Sequence, residues 1–259
     1  MRLGGMFRAT FPDARYLLDI FRAIGAVAEE ACFRIGPDAI AAKAVDPSAV
    51  AMVDLTLDSG AAQEWVLDGH DELRMAVSVS DMLRVIGGAR GGEAITITYN
   101  PEDRRIMFTL AEATGSKRRS IYLNALEGFE GRDLAPRMDF KATATLTTIA
   151  LREAVETCRI LDDIVMIAIS PEAVELSAKS DFGTALIRYP RYGSIIYELE
   201  ADQEVASHYS IPFLSRMLKA GASLSVSTRI ELGDNTPLRM GFKMPCGRLE
   251  YYLAPTLRS

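Results

Sequence analysis

The feature that most constrains this chain is an internal repeat, because a repeat of this length requires one fold to be built twice. The segment Pro37-Asp38-Ala39-Ile40 is matched by Pro171-Glu172-Ala173-Val174, which begins 134 residues later. Two further landmarks keep the same order in both halves. Before these segments, Arg15, Asp19 and Arg22 match Arg152, Glu156 and Arg159; after them, Arg84 matches Arg216. Their offsets are 137 and 132 residues, and loop insertions produce a drift of this size at little cost. The repeat is too long for a solenoid unit, so it predicts two similar domains side by side.

Each half is predicted to contain two short helices and about eight strands. Helices are predicted at 12–25, 80–87, 147–161 and 211–219, where apolar residues recur at helical spacing. Strands are predicted at 31–35, 39–44, 50–57, 73–79, 94–99, 104–110, 138–145, 164–169, 173–178, 185–189, 195–199, 224–232, 238–244 and 248–253. Ser80 is expected to cap the second helix, and Pro212 to open the fourth. Helices this short are marginal alone and must pack on antiparallel sheets, which predicts an α+β fold.

The stretch between the two halves is predicted to be a surface connector. It reads KRRSIYLNALEGFEGRDLAP, beginning basic, passing a strand-like 121–123, and becoming glycine-rich and acidic before a proline. A segment of this composition buries little of itself. The predicted organisation is therefore an N-terminal domain at 1–123, a connector at 124–136 and a C-terminal domain at 137–259. Residues 1–5 are expected to be a loose extension before Met6.

Composition indicates a globular protein of the cytoplasm. Apolar residues make up 49% of the chain and charged residues 25%. No apolar run approaches the ~20 residues that a membrane span needs, and the first residues lack the apolar core of a signal peptide. Cys32, Cys158 and Cys246 are odd in number and widely spaced, so they are expected to be core thiols and not disulfides or metal ligands.

Basic residues are concentrated on the predicted helices of an otherwise acidic chain, whose net charge is −6. The helices carry five acidic residues, at 13, 19, 81, 153 and 156, and seven basic ones: Arg15, Arg22, Arg84, Arg152, Arg159, Arg216 and Lys219. A solvated helix face of mixed charge explains this pattern as well as a functional surface does. The functional interpretation is contact with phosphates, which would be salt-sensitive and independent of base sequence because base-reading side chains are absent.

No constellation of catalytic or metal-binding residues stands out. His70 and His208 have no cysteine, serine or carboxylate at a motif spacing, so they are predicted to be surface histidines. Asp162-Asp163 follows a predicted helix and reads as a turn. The glycine pairs at 87–88 and 91–92 lack the Lys-Ser/Thr of a phosphate loop. The sequence predicts no catalytic residue, no metal and no cofactor; a two-domain hydrolase is the alternative from a different class.

The segment LEYYLAP at 249–255 resembles the closing strand of sliding clamps of the proliferating cell nuclear antigen family. Further segments resemble the family in the same order along the chain. Residues 6–9 resemble its start, 30–32 its first strand and 45–50 the loop after its second strand, and the segments 54–57 and 236–238 match as well. The resemblance runs from Met6 to Pro255 and is closer to archaeal than to eukaryotic clamps. It implies the DNA clamp fold and a non-catalytic processivity factor for DNA polymerase.

The resemblance also implies a ring of three subunits that encircles duplex DNA, with the seven basic helix residues facing the phosphates. Leu18 and Asp19 depart from this pattern, because the family often has lysines at these positions. Subunits of the family join edge strand to edge strand, and the expected edges are 116–123 and 180–187. The implied interface residues are Lys117, Ile121, Leu123, Phe182 and Ala185. Whether the chain closes a ring with itself, or is an obligate subunit of a heterotrimeric or checkpoint-type clamp, stays open.

The connector of the family lies over a hydrophobic pocket that binds short PIP-box peptides of partner enzymes. The matching positions are Val45, Val50, Leu134, Pro237, Tyr252, Leu253, Ala254 and Pro255. Gly128 and Gly131 make this connector more flexible than a strongly hydrophobic one. The implied partners are duplex DNA, DNA polymerase, flap endonuclease, DNA ligase, a clamp loader, and copies or paralogues of the chain. The implied location is the cytoplasm of a prokaryote, in association with DNA.

Overall fold

A computed structural model describes residues 6–69, 71–112, 115, 117–128, 138–234 and 236–256. These residues form eighteen strands, four α-helices and one short 3-10 turn. The chain divides into two compact units. Unit 1 comprises residues 1–45, 53–133 and 245–248, and unit 2 comprises 46–52, 134–244 and 249–259.

Unit 1 contains two helices and the first nine strands. The elements are β1 (Phe7–Phe11), α1 (Ala14–Gly25), β2 (Glu30–Ile35), β3 (Ala39–Val45), β4 (Ala51–Asp58, in this unit from Val53), β5 (Glu64–Leu67), β6 (Leu73–Ser78), α2 (Val79–Ile86), β7 (Glu93–Asn100), β8 (Arg105–Glu112) and β9 (Arg118–Asn124). One sheet has the order β5-β1-β7-β8-β9, and in the other β4, β3, β2 and β6 are neighbours in that order.

Unit 2 contains the other two helices and the last nine strands. The elements are β10 (Ala142–Thr147), α3 (Thr148–Arg159), β11 (Ile164–Ile169), β12 (Ala173–Ser180), β13 (Gly183–Pro190), β14 (Ile196–Ala201), β15 (Val205–Ser210), α4 (Ile211–Gly221), β16 (Ser227–Leu232), β17 (Leu238–Met244) and β18 (Gly247–Leu253, in this unit from Leu249). Here the strand orders are β14-β10-β16-β17-β18 and β13-β12-β11-β15.

The strand orders confirm that one fold occurs twice. Adding nine to each strand number of β5-β1-β7-β8-β9 gives β14-β10-β16-β17-β18, and the same shift converts β4-β3-β2-β6 into β13-β12-β11-β15. By the same correspondence α1 matches α3 and α2 matches α4. The predicted fold, two similar α+β domains with helices on antiparallel sheets, is confirmed.

The core of unit 1 lies between its helices and the faces of its strands. Asp13 begins α1 as its N-cap, because its side chain accepts a hydrogen bond from the backbone N–H of Arg15 at 2.8 Å. Leu17, Ile20 and Phe21 are buried on one face of that helix. On β7, the buried positions alternate with half-buried ones, as expected for a strand with one face on the core. Each fully buried side chain of this size contributes roughly 1.5–3 kcal/mol.

The core of unit 2 is built in the same way. Leu214, Met217 and Leu218 form the buried face of α4. Near the end of this helix, Gly221 lies so close to Phe242 of β17 that a methyl group at Gly221 would approach the ring to 2.2 Å. Phe242 in turn packs edge-to-face on Tyr251 of β18, with ring centroids 5.8 Å apart. The glycine therefore sets how closely α4 approaches its sheet.

Several local predictions were wrong. Ser78, not Ser80, is the N-cap of α2, because its hydroxyl accepts the backbone N–H of Asp81 at 3.2 Å. The segment 30–32 begins β2 and not the first strand, since Phe7–Phe11 already forms β1. The strand predicted at 138–145 is observed as Ala142–Thr147. The strand predicted from 224 begins at Ser227, because Leu224 N–H still bonds to the Gly221 carbonyl in the turn after α4.

The beginning of the predicted connector is held by unit 1. Ala125 N–H donates to the Arg104 carbonyl and Leu126 N–H to the Ala76 carbonyl, both at 2.8 Å. The described chain continues to Gly128 and resumes at Met138. Leu134 and most of the connector lie outside the described residues, and the domain boundaries at 123/124 and 136/137 stay predictions.

Candidate binding surfaces

The basic residues of unit 1 lie on the solvent side of α1 and α2, which pack against each other. Arg15, Arg22 and Arg84 are exposed. Two of these three are already engaged in ion pairs within their own helix. Arg22 Nη1 lies 2.9 Å from Asp19 Oδ1, and Arg84 Nη2 lies 2.6 Å from Asp81 Oδ1. Leu18, at a position where the resemblance led us to expect a lysine, is 4% exposed and belongs to the core, so its side chain cannot contact a duplex.

The basic residues of unit 2 lie on α3 and α4. Arg159 Nη1 lies 3.5 Å from Glu156 Oε2, which repeats the spacing seen in α1. Arg152 is half-buried, while Arg216 and Lys219 are exposed. The Arg216 guanidinium lies over the Phe213 ring, 4.7 Å from its centroid. In the part of the chain that the structure describes, Arg15, Arg152, Arg216 and Lys219 have no ion-pair partner.

The loop between β3 and β4 is organised by a buried carboxylate. Asp46 is 6% exposed, and its side chain accepts backbone N–H bonds from Ser48, Val50 and Ala51 at 2.9, 2.6 and 2.6 Å. Within this loop Ala49 adopts a positive φ of 56°, a conformation that non-glycine residues rarely adopt. The carboxylate thus satisfies three donors of one tight turn and fixes the backbone of Val50.

The chain after β18 is fastened at two points of unit 2. Ala254 N–H donates to the Val50 carbonyl, and Thr256 N–H donates to the His208 carbonyl, both at 2.8 Å. Leu253 is buried, whereas Tyr252, Ala254 and Pro255 are half-buried and present part of their surface. The turn at Asp46 and the C-terminal segment are therefore joined through one backbone hydrogen bond.

The other predicted peptide-binding residues belong to other segments of the chain. Pro237 is half-buried just before β17 in unit 2, and Val45 is half-buried at the end of β3 in unit 1. Leu134 lies outside the described residues. Sequence reasoning missed Asp46 and the His208 carbonyl. An Asp followed by Pro-Ser after a strand is a turn signal that could have identified Asp46, but no local signal marks a backbone carbonyl.

In each unit, one of the strands at the edge of a sheet carries predicted interface residues. In unit 1 this strand is β9, which carries half-buried Ile121 and Leu123 and a Tyr122 that is 57% exposed. In unit 2 it is β13, with half-buried Ala185 and a Leu186 that is 63% exposed; Phe182, just before it, is 76% exposed. Lys117 is exposed directly before β9. The predicted interface residues thus lie on or beside sheet edges.

The described residues contain no group of His, Cys, Asp and Glu side chains that could hold a metal ion. Cys32 and Cys158 are buried and Cys246 is half-buried, and burial raises the pKa of the Cys158 thiol, which disfavours the nucleophilic thiolate. Asp162 accepts the backbone N–H of Ile164 at 3.2 Å, in agreement with a turn. His70 lies outside the described residues. Within the described chain no helix is long and apolar enough to cross a membrane.

A duplicated α+β domain, with two helices packed on antiparallel sheets in each copy, is the DNA clamp fold. Residues 6–127 match the family model of the proliferating cell nuclear antigen N-terminal domain, and residues 135–256 match that of its C-terminal domain. The chain therefore belongs to the proliferating cell nuclear antigen family.

Similar proteins and structures agree with this assignment. The DNA polymerase sliding clamp of Thermofilum pendens is 25% identical over 254 residues, covering 97% of this chain and 100% of that protein. DNA polymerase sliding clamp 1 of Pyrobaculum aerophilum is 26% identical over 248 residues, covering 95% and 96%. The crystal structure of the antigen from Thermococcus kodakaraensis matches with a TM-score of 0.88 at 20% identity, covering 96% of this chain and 100% of that one. The crystal structure of the antigen from Entamoeba histolytica matches with a TM-score of 0.87 at 19% identity, covering 97% of this chain and 99% of that one.

Family membership confirms the prediction of a sliding clamp and excludes the hydrolase alternative, because the family acts without catalysis. The similarity to archaeal clamps confirms the archaeal type of the resemblance.

Proposed function

We propose that this chain is a DNA polymerase sliding clamp that joins two further subunits in a closed ring around duplex DNA. The observation that carries the proposal is the pair of free edges, β9 in unit 1 and β13 in unit 2. An edge strand with exposed apolar side chains favours pairing with another chain, and closure into a ring would pair these two edges of every subunit with those of its neighbours. Pairing β9 of one subunit with β13 of the next would cover Tyr122, Phe182 and Leu186.

The partners that we propose are DNA and DNA polymerase, with flap endonuclease, DNA ligase and a clamp loader as further enzymes that use the same surface. The basic residues on the helices provide contact with phosphates that does not depend on sequence. Enclosure by the ring, and not affinity, keeps the clamp on the duplex. Such a protein acts in the cytoplasm of a prokaryote, in association with DNA.

The peptide-binding surface that we propose is centred on the C-terminal segment of unit 2. Tyr252, Ala254, Pro255, Val50 and Pro237 supply half-buried apolar surface for a PIP-box peptide. Leu253 supports this surface from the core, and Val45 and Leu134 stay predicted members of the set. A peptide bound here tethers its enzyme to the ring and raises the local concentration of that enzyme at the DNA.

The decisive experiment measures the mass of the purified chain by light scattering at micromolar concentration, followed by primer extension with a cognate polymerase. We expect a mass of three 28.4 kDa chains and longer products when the clamp is loaded. Phe182→Asp should give monomers, because it places a charge in the proposed interface. Val226→Asp changes an exposed apolar residue outside both edges and should leave the trimer intact.

A monomeric wild-type chain would contradict a ring made of identical subunits. Mixing with a paralogous subunit that restores the trimer would instead identify the chain as an obligate member of a heterotrimer. A stable ring that adds no processivity would contradict the function itself.

A further inference from the structure

Three of the four helices share one arrangement, in which an acidic residue precedes an arginine by three positions and pairs with it. The pairs are Asp19–Arg22 in α1, Asp81–Arg84 in α2 and Glu156–Arg159 in α3, at 2.9, 2.6 and 3.5 Å. All three arginines are more than half exposed. Three of the seven candidate phosphate-binding residues are therefore neutralised within their own helix.

Helix α4 differs at one position of the repeat. An offset of 132 relates Ser78, Asp81 and Arg84 of α2 to Ser210, Phe213 and Arg216 of α4. The N-cap serine and the arginine are retained, while phenylalanine takes the place of the aspartate. The Arg216 guanidinium consequently lies over the Phe213 ring, where Arg84 has a carboxylate beside it. Lys219, one turn further along, adds a second charge that has no ion-pair partner among the residues that the structure describes.

The two arrangements present different charges to a phosphate group. An ion pair of an arginine and a carboxylate has no net charge, and a phosphate that binds this arginine must approach the carboxylate or displace it. A guanidinium that lies over an aromatic ring has no opposite charge beside it. Its N–H groups remain able to donate hydrogen bonds to phosphate oxygens. Exposed intrahelical ion pairs add little to stability, so the carboxylates act mainly on an approaching anion.

We propose that α4, through Arg216 and Lys219, makes the principal phosphate contact of this clamp. In the same proposal Asp19, Asp81 and Glu156 lower the contributions of Arg22, Arg84 and Arg159 to DNA affinity, so that α1 and α3 each keep one basic residue without an ion-pair partner, Arg15 and Arg152, and α2 keeps none among the described residues. This inference rests on the proposed sliding-clamp function and names the residues that determine the affinity of the clamp for DNA. A low affinity suits a protein held by enclosure, since every strong phosphate contact would have to break during sliding.

The test measures binding of each protein to a labelled linear duplex over a series of salt concentrations. Asp81→Asn should tighten binding several-fold and steepen the plot of log affinity against log salt, by about 0.9 if Arg84 gains one phosphate. Compared with the wild-type protein, Arg216→Glu should bind the duplex much more weakly, whereas Arg84→Glu should bind it with almost unchanged affinity. Asp202→Asn alters the charge equally at an exposed turn away from the helices and serves as the control.

The reciprocal variant supplies an independent readout. Phe213→Asp installs the missing carboxylate and should reduce both the affinity and the salt slope towards the values of Arg216→Glu. Because Phe213 is half-buried, its unfolding midpoint and trimer mass are measured in parallel. The variants Asp81→Asn and Arg216→Glu change exposed or half-exposed charges and carry the test if Phe213→Asp fails to fold.

Equal salt slopes for the wild-type protein and Asp81→Asn, or equal losses in Arg84→Glu and Arg216→Glu, would overturn the inference. Such a result, with trimers formed and polymerase stimulated, would leave the proposed function standing. Failure of the wild-type chain to assemble or to support processive synthesis would count against the proposed function instead.

Discussion

Glu93 and Arg119 form a partly buried ion pair that ties a free sheet edge to the end of a helix within unit 1. Arg119 Nη2 lies 2.9 Å from Glu93 Oε2 and also donates to the Gly88 carbonyl, just after α2, at 2.8 Å. Glu93 is 4% exposed, and its carboxylate accepts a further bond from the backbone N–H of Arg90. Arg119 belongs to β9, so this pair fixes the edge strand that we propose as a subunit contact.

Replacing the buried carboxylate should therefore weaken both the unit and its edge. We expect Glu93→Gln to lower the free energy of unfolding by about 2 kcal/mol, because it leaves a charged guanidinium with a neutral partner. Urea unfolding measures the loss. If the chain forms the proposed trimer, light scattering should show Glu93→Gln dissociating at a higher protein concentration than the wild-type protein. Glu102→Gln, at an exposed turn of the same unit, is the matched control. Equal behaviour of the two variants would contradict a role for the pair.

The contact between Gly221 and Phe242 predicts the effect of a single methyl group. Glycine to alanine in a helix ordinarily gains up to about 1 kcal/mol. Here the new methyl would lie 2.2 Å from the Phe242 ring, so we expect Gly221→Ala to lose about 1–3 kcal/mol on balance. Thermal unfolding measures this change. Gly60→Ala, where no heavy atom lies within 4 Å of the new methyl, should be close to neutral, and a stabilised Gly221→Ala variant would show that the helix can move freely.

The Asp46 carboxylate should matter for partner binding through the backbone that it holds. Asp46→Ala removes the acceptor of three N–H groups, and we expect a loss of about 2–3 kcal/mol in unfolding free energy. Because the Val50 carbonyl binds Ala254, affinity for a PIP-box peptide should fall as well, as measured by calorimetry. Ser48→Ala changes a side chain of the same loop with no described hydrogen bond and should bind normally. Unchanged peptide affinity in Asp46→Ala would separate this loop from the binding surface.

The buried tyrosine of β15 predicts the behaviour of the protein in alkali. Burial raises the pKa of Tyr209 from its ordinary value of 10.0 to about 12, and Ser207 opposes this shift only in part. Below pH 10 the hydroxyl is neutral in both the folded and the unfolded chain, so its contribution is complete there. Between pH 10 and 12 only the unfolded chain ionises, which lowers the free energy of unfolding by about 2.7 kcal/mol.

Urea titrations below pH 10 and near pH 12 test this prediction. Tyr209→Phe should lose less stability over that interval than the wild-type protein, because it lacks the ionising group. Tyr192→Phe, which alters an exposed tyrosine, should follow the wild-type curve. Parallel curves for all three proteins would contradict the assigned shift.

Strands and helices with regular periodicity could be predicted from the sequence. Strands β11 and β17 have the predicted bounds, 164–169 and 238–244. Strand β11 is a mostly buried apolar segment, and in β17 buried apolar residues alternate with half-buried or exposed ones. The strands β1, β5 and β15 were not predicted as such. These strands are short. Strand β15 also carries Ser and His at half-buried positions, so its conformation depends on pairing with β11 more than on its own sequence.

For the candidate surfaces, the sequence predicted residue types but not their partners. The acidic residues 19, 81 and 156 were recognised as members of mixed helix faces, yet their pairing with specific arginines required the helix geometry. The bond between Val50 and Ala254 joins backbone atoms about 200 residues apart, and such contacts carry no local signal. Arg119 was read only as part of a basic run, and its buried partner Glu93 lies on another strand.

The three intrahelical ion pairs also bear on how the protein first meets its DNA. A separated pair of opposite charges acts as a dipole, whose field decays more steeply with distance than that of a single charge. At physiological ionic strength, where screening acts over about 8 Å, a distant duplex would scarcely sense these arginines. Electrostatic steering, which accelerates many associations with nucleic acid, is therefore weak for Arg22, Arg84 and Arg159. In the proposed ring, salt-dependent steering towards DNA should therefore come mainly from residues without an ion-pair partner, above all Arg216 and Lys219 of α4.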